Sequence, residues 1–509
     1  MTTTSAIEFL RHGSRRRLTA AAMLALLPAS AGAATLQVGP DKPYTTVAAA
    51  VAAAGAGDVI EIDPGEYVDD IVVIDAGDIT LRGVGEPRAH LSSTHDIDNG
   101  KGIILVNSGA AIVTVEHLEL SDATVADANG AGIRMQGTAL VVRDCHFHDN
   151  QNGILAGGDG PYTVEVHDSE FDHNGNPGSG YEHNIYISGE ATSFTFQGNY
   201  SHHAYSGHTL KSRAQTNYIL YNRIMDEQDG TSSYIIDLSQ GGRSYVLGNL
   251  LQKGPMSENS GTVLSFAAEM PNPMLELYVV GNTFVNDGGN APAFVRAYAA
   301  TDIIMRNNLF VGAGTPLALE NGIAPTVVDE GNLATEDAGL VDRAGYDYHL
   351  LEGSAAIDAA VAPGEAAGYD LTPLLHYLHP ASTEPRPVVD ALDVGAYEFG
   401  MGPPAGDTGG ADSGDSGGGG SDSAGGSGSE GGGSASAGGD SAGSAGSATG
   451  GSGESGSDGT AGGDEGGGGC GCRSGHAPTP QGIALVCAVI ALRRRRGAKP
   501  IAKSIATTR

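Results

Sequence analysis

The chain has 509 residues, 79 of them glycine, no tryptophan, and a formal net charge of −33. That acidity excludes general nucleic-acid binding, because phosphate contacts are made by Lys and Arg. Of 4 cysteines only Cys145 falls between residues 34 and 400, which excludes a disulfide framework there and leaves packing to hold the fold.

Residues 1–33 read as an export signal. Arg11, Arg15, Arg16 and Arg17 precede the apolar run LTAAAMLALLPA, and small residues lead to a cut near Ala33. Next, Thr45 and Thr46 predict the cap of a short Ala-rich helix ending at Ala54, and DVIEI predicts a strand. A helix at this point can cover the open end of a solenoid.

From Asp69 to about Gly314, short strands of period two recur between Gly, Asn and Asp corners. His183 and His208 stand 25 residues apart and open equivalent strands. Asn222, Asn249, Asn282 and Asn308 recur at spacings of 27, 33 and 26. Self-similarity at such a period marks a solenoid. The predicted fold is all-β, a single-stranded parallel β-helix over 34–400 with a helical cap. The recurring Asn are expected to stack as an internal ladder.

Residues 401–469 are nearly all Gly, Ser, Ala, Asp and Glu. They cannot offset their ordering entropy and read as a disordered linker. Residues 470–509 join Cys470-Gly471-Cys472 to a short apolar run and Arg493–Arg496. The run is shorter than the roughly 20 residues a membrane span needs.

Alternation places the candidate site. Ile185, Ile187, Leu210, Ser212, Ile236 and Leu238 are expected inside. Asn184, Tyr186, Thr209, Lys211, Arg213, Ile235 and Asp237 are expected on one exposed face. His183 and His208 fall at the corner before it, and Arg243 at a nearby turn. Lys211 is one of only four lysines in 34–400. Beside Arg213 and partly buried, it is expected to have a lowered pKa and to serve as a base.

Four stretches carry family resemblances. GPDKPYTTVAAAV, before GDVIEIDPGEY, resembles the cap of the pectate-lyase-like β-helix superfamily and implies a right-handed coil. YHLLEGSAAIDA and DVGAYE resemble its closing segment, expected to cover the end of the domain. LKSRAQTNYILYN resembles the KSxxNxYxxN segment of chondroitinase B and alginate-lyase-type polysaccharide lyases. In that family the Lys abstracts the C5 proton of a uronate, an Arg from the next coil assists, and Ca²⁺ neutralises the carboxylate. The resemblance implies Lys211 as base. Beside it, Arg213 or Arg243 is expected to neutralise the carboxylate and His208 or Tyr186 to act as the acid, with His183 and Asp237 as further substrate-binding residues. The family's acidic calcium ligands are replaced by Ser206 and His208, so the ligand pattern supports no cofactor. The implied partner is an acidic polysaccharide and the implied reaction a lyase β-elimination. C5-epimerisation, glycoside hydrolysis and non-catalytic surface binding stay open. Finally, Cys-Gly-Cys, apolar run and Arg cluster resemble the MYXO-CTERM sorting tail, implying anchoring at the outer surface through Cys470 and Cys472.

Overall fold

A computed structural model describes residues 32–400 apart from 76 and 159. Its period-two segments stack into three parallel sheets of 12, 10 and 11 strands. Consecutive strands belong to different sheets, and each pairs with the equivalent strand of the next coil. The chain therefore winds as a right-handed parallel β-helix of about eleven coils. Coils rise by about 4.8 Å.

The cap forms where the sequence places it. The helix Val47–Ala53 starts at Thr46, whose hydroxyl accepts from Ala49 N at 3.3 Å, and ends at Ala54. Asp70 adds a second cap, its carboxylate accepting from Val47 N and Ala48 N at 2.5 and 3.1 Å. Val47, Ala50 and Val51 are buried and join the core.

Inside, like side chains stack from coil to coil. Ile104, Ile133, Ile154 and Ile185 are in register, and the Phe147 and Phe171 rings stack at 4.7 Å. At one corner the expected amide ladder is present and longer than the sequence repeat suggested. The Nδ2 groups of Asn199, Asn222, Asn249, Asn282 and Asn308 donate to Oδ1 of Asn222, Asn249, Asn282, Asn308 and Asn332, at 2.9–3.1 Å. Each of those oxygens also accepts the backbone N–H of the preceding Asn. Each donor Nδ2 has a second acceptor on a backbone carbonyl. The buried amides are thus satisfied, as a buried polar row must be.

The closing segment does not simply plug the end. Tyr348, Tyr377 and Tyr397 pack against Tyr200, Leu250 and Leu309 of the eleven-stranded sheet. Ala366 and Leu371 pack against Tyr245 and Tyr278 of the twelve-stranded sheet. A buried Arg386–Glu398 ion pair at 2.7 Å ties its last turn. The ten-stranded sheet contributes no residue to these flank clusters, and the candidate site lies on its outer face.

Asn249→Ala should lower stability by roughly 2–3 kcal/mol, because it strands buried donors on Asn222 and an acceptor on Asn282. The exposed Asn290→Ala should leave the melt unchanged. Equal midpoints for the two variants in thermal unfolding would show that the ladder is not a stabilising element.

Candidate functional site

Register brings the predicted residues together. Tyr186 is paired with Lys211, and Lys211 with Asp237, on three successive coils of the ten-stranded sheet. The row continues to Ser265 on one side, and through Leu155 to Arg134 on the other. His183 and His208 meet at the adjoining corner, with ring centroids 4.7 Å apart. Gly207 permits that approach, since a Cβ there would lie 1.6 Å from Glu182 O.

The face is not open. Lys211 is 8% exposed and Asp237 4%. A segment sequence reasoning did not assign to the site brings in Glu269. Its carboxylate lies 3.2 Å from Lys211 Nζ and 2.6 Å from an Arg213 terminal nitrogen. Lys211 Nζ is 3.6 Å from Asp237 Oδ2, which is 3.4 Å from His208 Nε2. The Tyr186 ring carries both cations, with centroid distances of 5.5 Å to Lys211 Nζ and 5.3 Å to Arg213 Cζ. Glu269 stands 58 residues beyond Lys211, and the loop after Phe266 rather than strand alternation returns it to this face.

This arrangement overturns the expected protonation of Lys211. Burial alone would lower its pKa, but the Asp237 and Glu269 carboxylates outweigh burial and raise it. An ammonium held this way is not a base near neutrality. Asp237 feels burial in the opposite sense, yet its contacts with His208 and Lys211 hold it below the usual carboxylate range. Burial, then the neighbouring His208, Lys211 and Arg213, press His183 well below its ordinary value, so it is neutral. The described lysine with a depressed pKa, about 8, is Lys253, buried away from this face behind Ser233 and Ser257.

Other expectations are corrected. Arg243 stands in the twelve-stranded sheet and pairs with Glu276 at 2.5 Å, so it is not part of the cluster. Asn184, Thr209 and Ile235 turn inward. Asn184 bonds Ser201 and Asn174, the Thr209 hydroxyl donates to Ile235 O at 2.8 Å, and Ile235 joins the core. Strict alternation fails there because these residues occupy corners, where the chain changes sheets. The resemblance to calcium-using lyases does not extend to the metal. Ca²⁺ takes six to eight oxygen ligands. Here Ser206 is bound to Glu258, and both carboxylates of the cluster are engaged by Lys211 or Arg213. No step is assigned to Ca²⁺. Ala33 is exposed at the edge of the described chain, and Cys470 and Cys472 lie outside it.

Sequence reasoning also missed Arg134. It borders a polar cleft of about 390 Å³ together with Asn107, Ser108, Gln136, Gly157 and Ser188. Among the described residues no carboxylate lies within ion-pair distance of Arg134, and its buried Nε has no hydrogen-bond partner. Burial pulls its pKa down, but a guanidinium stays charged in any protein.

The class the coil defines is the right-handed parallel β-helix. Residues 79–251 match the model of a right handed beta helix region. No curated protein matches the sequence. Among solved structures the chain is similar to the pectate lyase Pel9A, at 14% identity over 72% of this chain and 97% of that one, TM-score 0.49. It is also similar to a mutant of the periplasmic alginate epimerase AlgG, at 11% identity over 54% and 77%, TM-score 0.32. A pectin methylesterase from Aspergillus niger gives 13% identity over 60% and 87%, TM-score 0.27. Likeness of chain path does not fix activity.

Lys211→Met should destabilise by roughly 2–3 kcal/mol, since it leaves buried carboxylates short of a partner. The Asp237 pKa is lowered on folding, so its contribution is present above the unfolded carboxylate pKa and is lost as pH falls through the folded one. The Lys211 pKa is raised, so its contribution holds below the unfolded lysine pKa and is lost as pH rises through the folded one. The gap in melting temperature between wild type and Lys211→Met should therefore be flat from about pH 5 to 9 and shrink outside that window. A gap that varies steadily across it would contradict this charge assignment.

Proposed function

We propose that this protein is an exported, surface-displayed β-helix that binds an acidic, uronate-containing polysaccharide along the outer face of the ten-stranded sheet. One observation carries the reading: among the described residues Arg134 has no carboxylate within ion-pair distance, and it stands at the edge of a cleft lined by amides and hydroxyls. A planar fork in a polar recess is suited to a carboxylate, bound bidentately, with sugar hydroxyls on the remaining groups. A polymer lying along the axis passes from Arg134 over Leu155 to Tyr186 and the Lys211–Arg213 pair, one coil at a time. The chain is acidic as a whole, so recognition is local, and long-range repulsion is screened within about 8 Å at physiological salt.

A second reading, β-elimination, is favoured by the state of His208. Its Nε2 faces the Asp237 carboxylate, which orients the ring, and its buried Nδ1 has no partner, so it would serve as a base once substrate opens the face above it. His183 cannot fill that role, because its Nδ1 already accepts the His208 backbone N–H at 2.9 Å. In this reading His208 Nδ1 takes the C5 proton, and Arg213 and Lys211 exchange Glu269 for the uronate carboxylate. The electron pair forms the C4–C5 double bond as the C4–O bond breaks, and the Tyr186 hydroxyl protonates the leaving oxygen. Lys211 is then an electrostatic group rather than the base.

Polygalacturonate, alginate and a neutral galactan, each offered to the full chain, test both readings. Arg134→Ala should weaken uronate binding about 10–100-fold and leave the neutral glycan unaffected. Equal binding by wild type and Arg134→Ala, or no uronate binding by wild type, rules out the assignment. If wild type generates unsaturated ends, His208→Ala should slow them by about 10²–10⁴-fold while binding persists. Uronate binding without such ends leaves binding as the function.

Display rests on the termini. Cleavage near Ala33 and a Cys470/Cys472-borne anchor would leave 401–469 as a stalk between wall and β-helix. Mass spectrometry of surface protein should find the segment after Cys472 gone; an intact Arg509 would sink this.

A further inference from the structure

The outer face of the eleven-stranded sheet carries a second row of chemistry, remote in register from the Lys211 face. Strands Ala89–Ser92, Leu118–Ser121 and His146–His148 lie side by side there. Their side chains place His90, Glu119 and His148 so that one ligand atom from each lies within 4.8 Å of the others. His148 Nε2 is 3.0 Å from Glu119 Oε1, and His90 Nε2 is 3.8 Å from the same oxygen. A tetrahedral ion with bonds of about 2.0–2.2 Å holds its ligand atoms about 3.3 Å apart, so closing this triad takes only small side-chain movement.

The groups behind the triad point the same way. His90 Nδ1 is 2.9 Å from Glu66 Oε2, and His148 Nδ1 is 2.8 Å from Asp149 Oδ2. A carboxylate on one imidazole nitrogen fixes the proton there and turns the other nitrogen's lone pair outward. Both histidines are backed in this way, and both Nε2 atoms lie near one carboxylate oxygen, with His90 Nε2 also meeting Ser121 Oγ at 2.8 Å. With no ion bound, imidazole protons meet the Glu119 carboxylate, and a cation bound between the three side chains would displace them. Asp149 has positive φ, at 54°, on the corner just after His148, and this turn sets its carboxylate behind the ring. The neighbouring His146 is not a candidate ligand, because its Nε2 is held by Asp172 at 2.7 Å. The triad side chains are between 19% and 29% exposed, so an ion reaches them from solvent.

We infer that His90, Glu119 and His148 bind one divalent first-row transition-metal ion of the Zn²⁺ type on this flank. Two imidazoles and a carboxylate suit Zn²⁺, Ni²⁺ or Co²⁺ and disfavour Ca²⁺ and Mg²⁺, which take oxygen ligands. Three protein ligands leave the fourth position to water, as in open rather than closed zinc sites. Ser121 Oγ, 2.8 Å from His90 Nε2, stands beside that position and can hydrogen-bond the water.

The test is equilibrium dialysis of Zn²⁺ against full-length protein stripped with chelator, with Ca²⁺ in parallel. Wild type should retain one Zn²⁺ per chain and no Ca²⁺ at this site. His148→Ala and Glu119→Gln should each lose that equivalent, and a Cys470→Ser/Cys472→Ser double variant should keep it. Asp149→Asn, which leaves the ligands in place, should weaken Zn²⁺ about 10–100-fold. Zn²⁺ should also raise the melting temperature of wild type and not of Glu119→Gln, a readout that holds even if a histidine variant folds poorly. Undiminished uptake by both His148→Ala and Glu119→Gln, or no uptake by wild type, would show that protons alone settle this cluster.

Discussion

The amide ladder at one corner is the constraint on which the rest of this molecule depends. A parallel β-helix has no local hairpins to set its register; every strand pairs with one a full coil away. The Asn side chains supply the missing index. Each one bonds the next coil's Asn and the backbone at the same corner, so a coil that slipped by one residue would bury unpaired amides. The apolar stacks of Ile and Phe tolerate small shifts, whereas the ladder does not.

That index is also what made the fold readable. Asn222, Asn249, Asn282 and Asn308 recur because the corner holds one Asn per coil from Asn199 to Asn332, and period-two strands between them can only be sheet. The helical cap was legible from Thr46 in front of an alanine run. The site was legible only in part. Alternation brought Tyr186, Lys211 and Asp237 onto neighbouring coils, because within a strand the parity of side chains is a geometric certainty. It failed at Asn184, Thr209 and Ile235, which lie where strands end. Arg243, expected at a nearby turn because it is close in sequence to Asp237, is already around the corner on another sheet. Glu269 belongs to a segment whose path over the face no local pattern records.

The electrostatics of that face follow from the segment bearing Glu269. A lysine on an open sheet beside an arginine would lose its proton more readily than usual. The same lysine, roofed by one carboxylate and backed by another, keeps it. Burying four charges together is costly, and the cluster persists because each charge has an opposite partner and Tyr186 lies against both cations. Among the described residues Arg134, three coils away in the same row, has no carboxylate within ion-pair distance, and in that it contrasts with the paired cluster.

The ladder counts coils rather than residues. Asn199 and Asn222 are 23 residues apart and Asn249 and Asn282 are 33 apart, yet each pair is joined by the same bond at 2.9–3.1 Å. Surplus chain is ejected sideways and leaves the axial rise untouched; between Phe266 and Leu275 it is this surplus that carries Glu269 over the face. Insertions and deletions at such points can rewrite the chemistry above the sheet while the spacing beneath stays fixed at about 4.8 Å per coil. The scaffold thus behaves as a ruler with interchangeable markings: the pitch is constant, and the side chains displayed at each division are free to diverge.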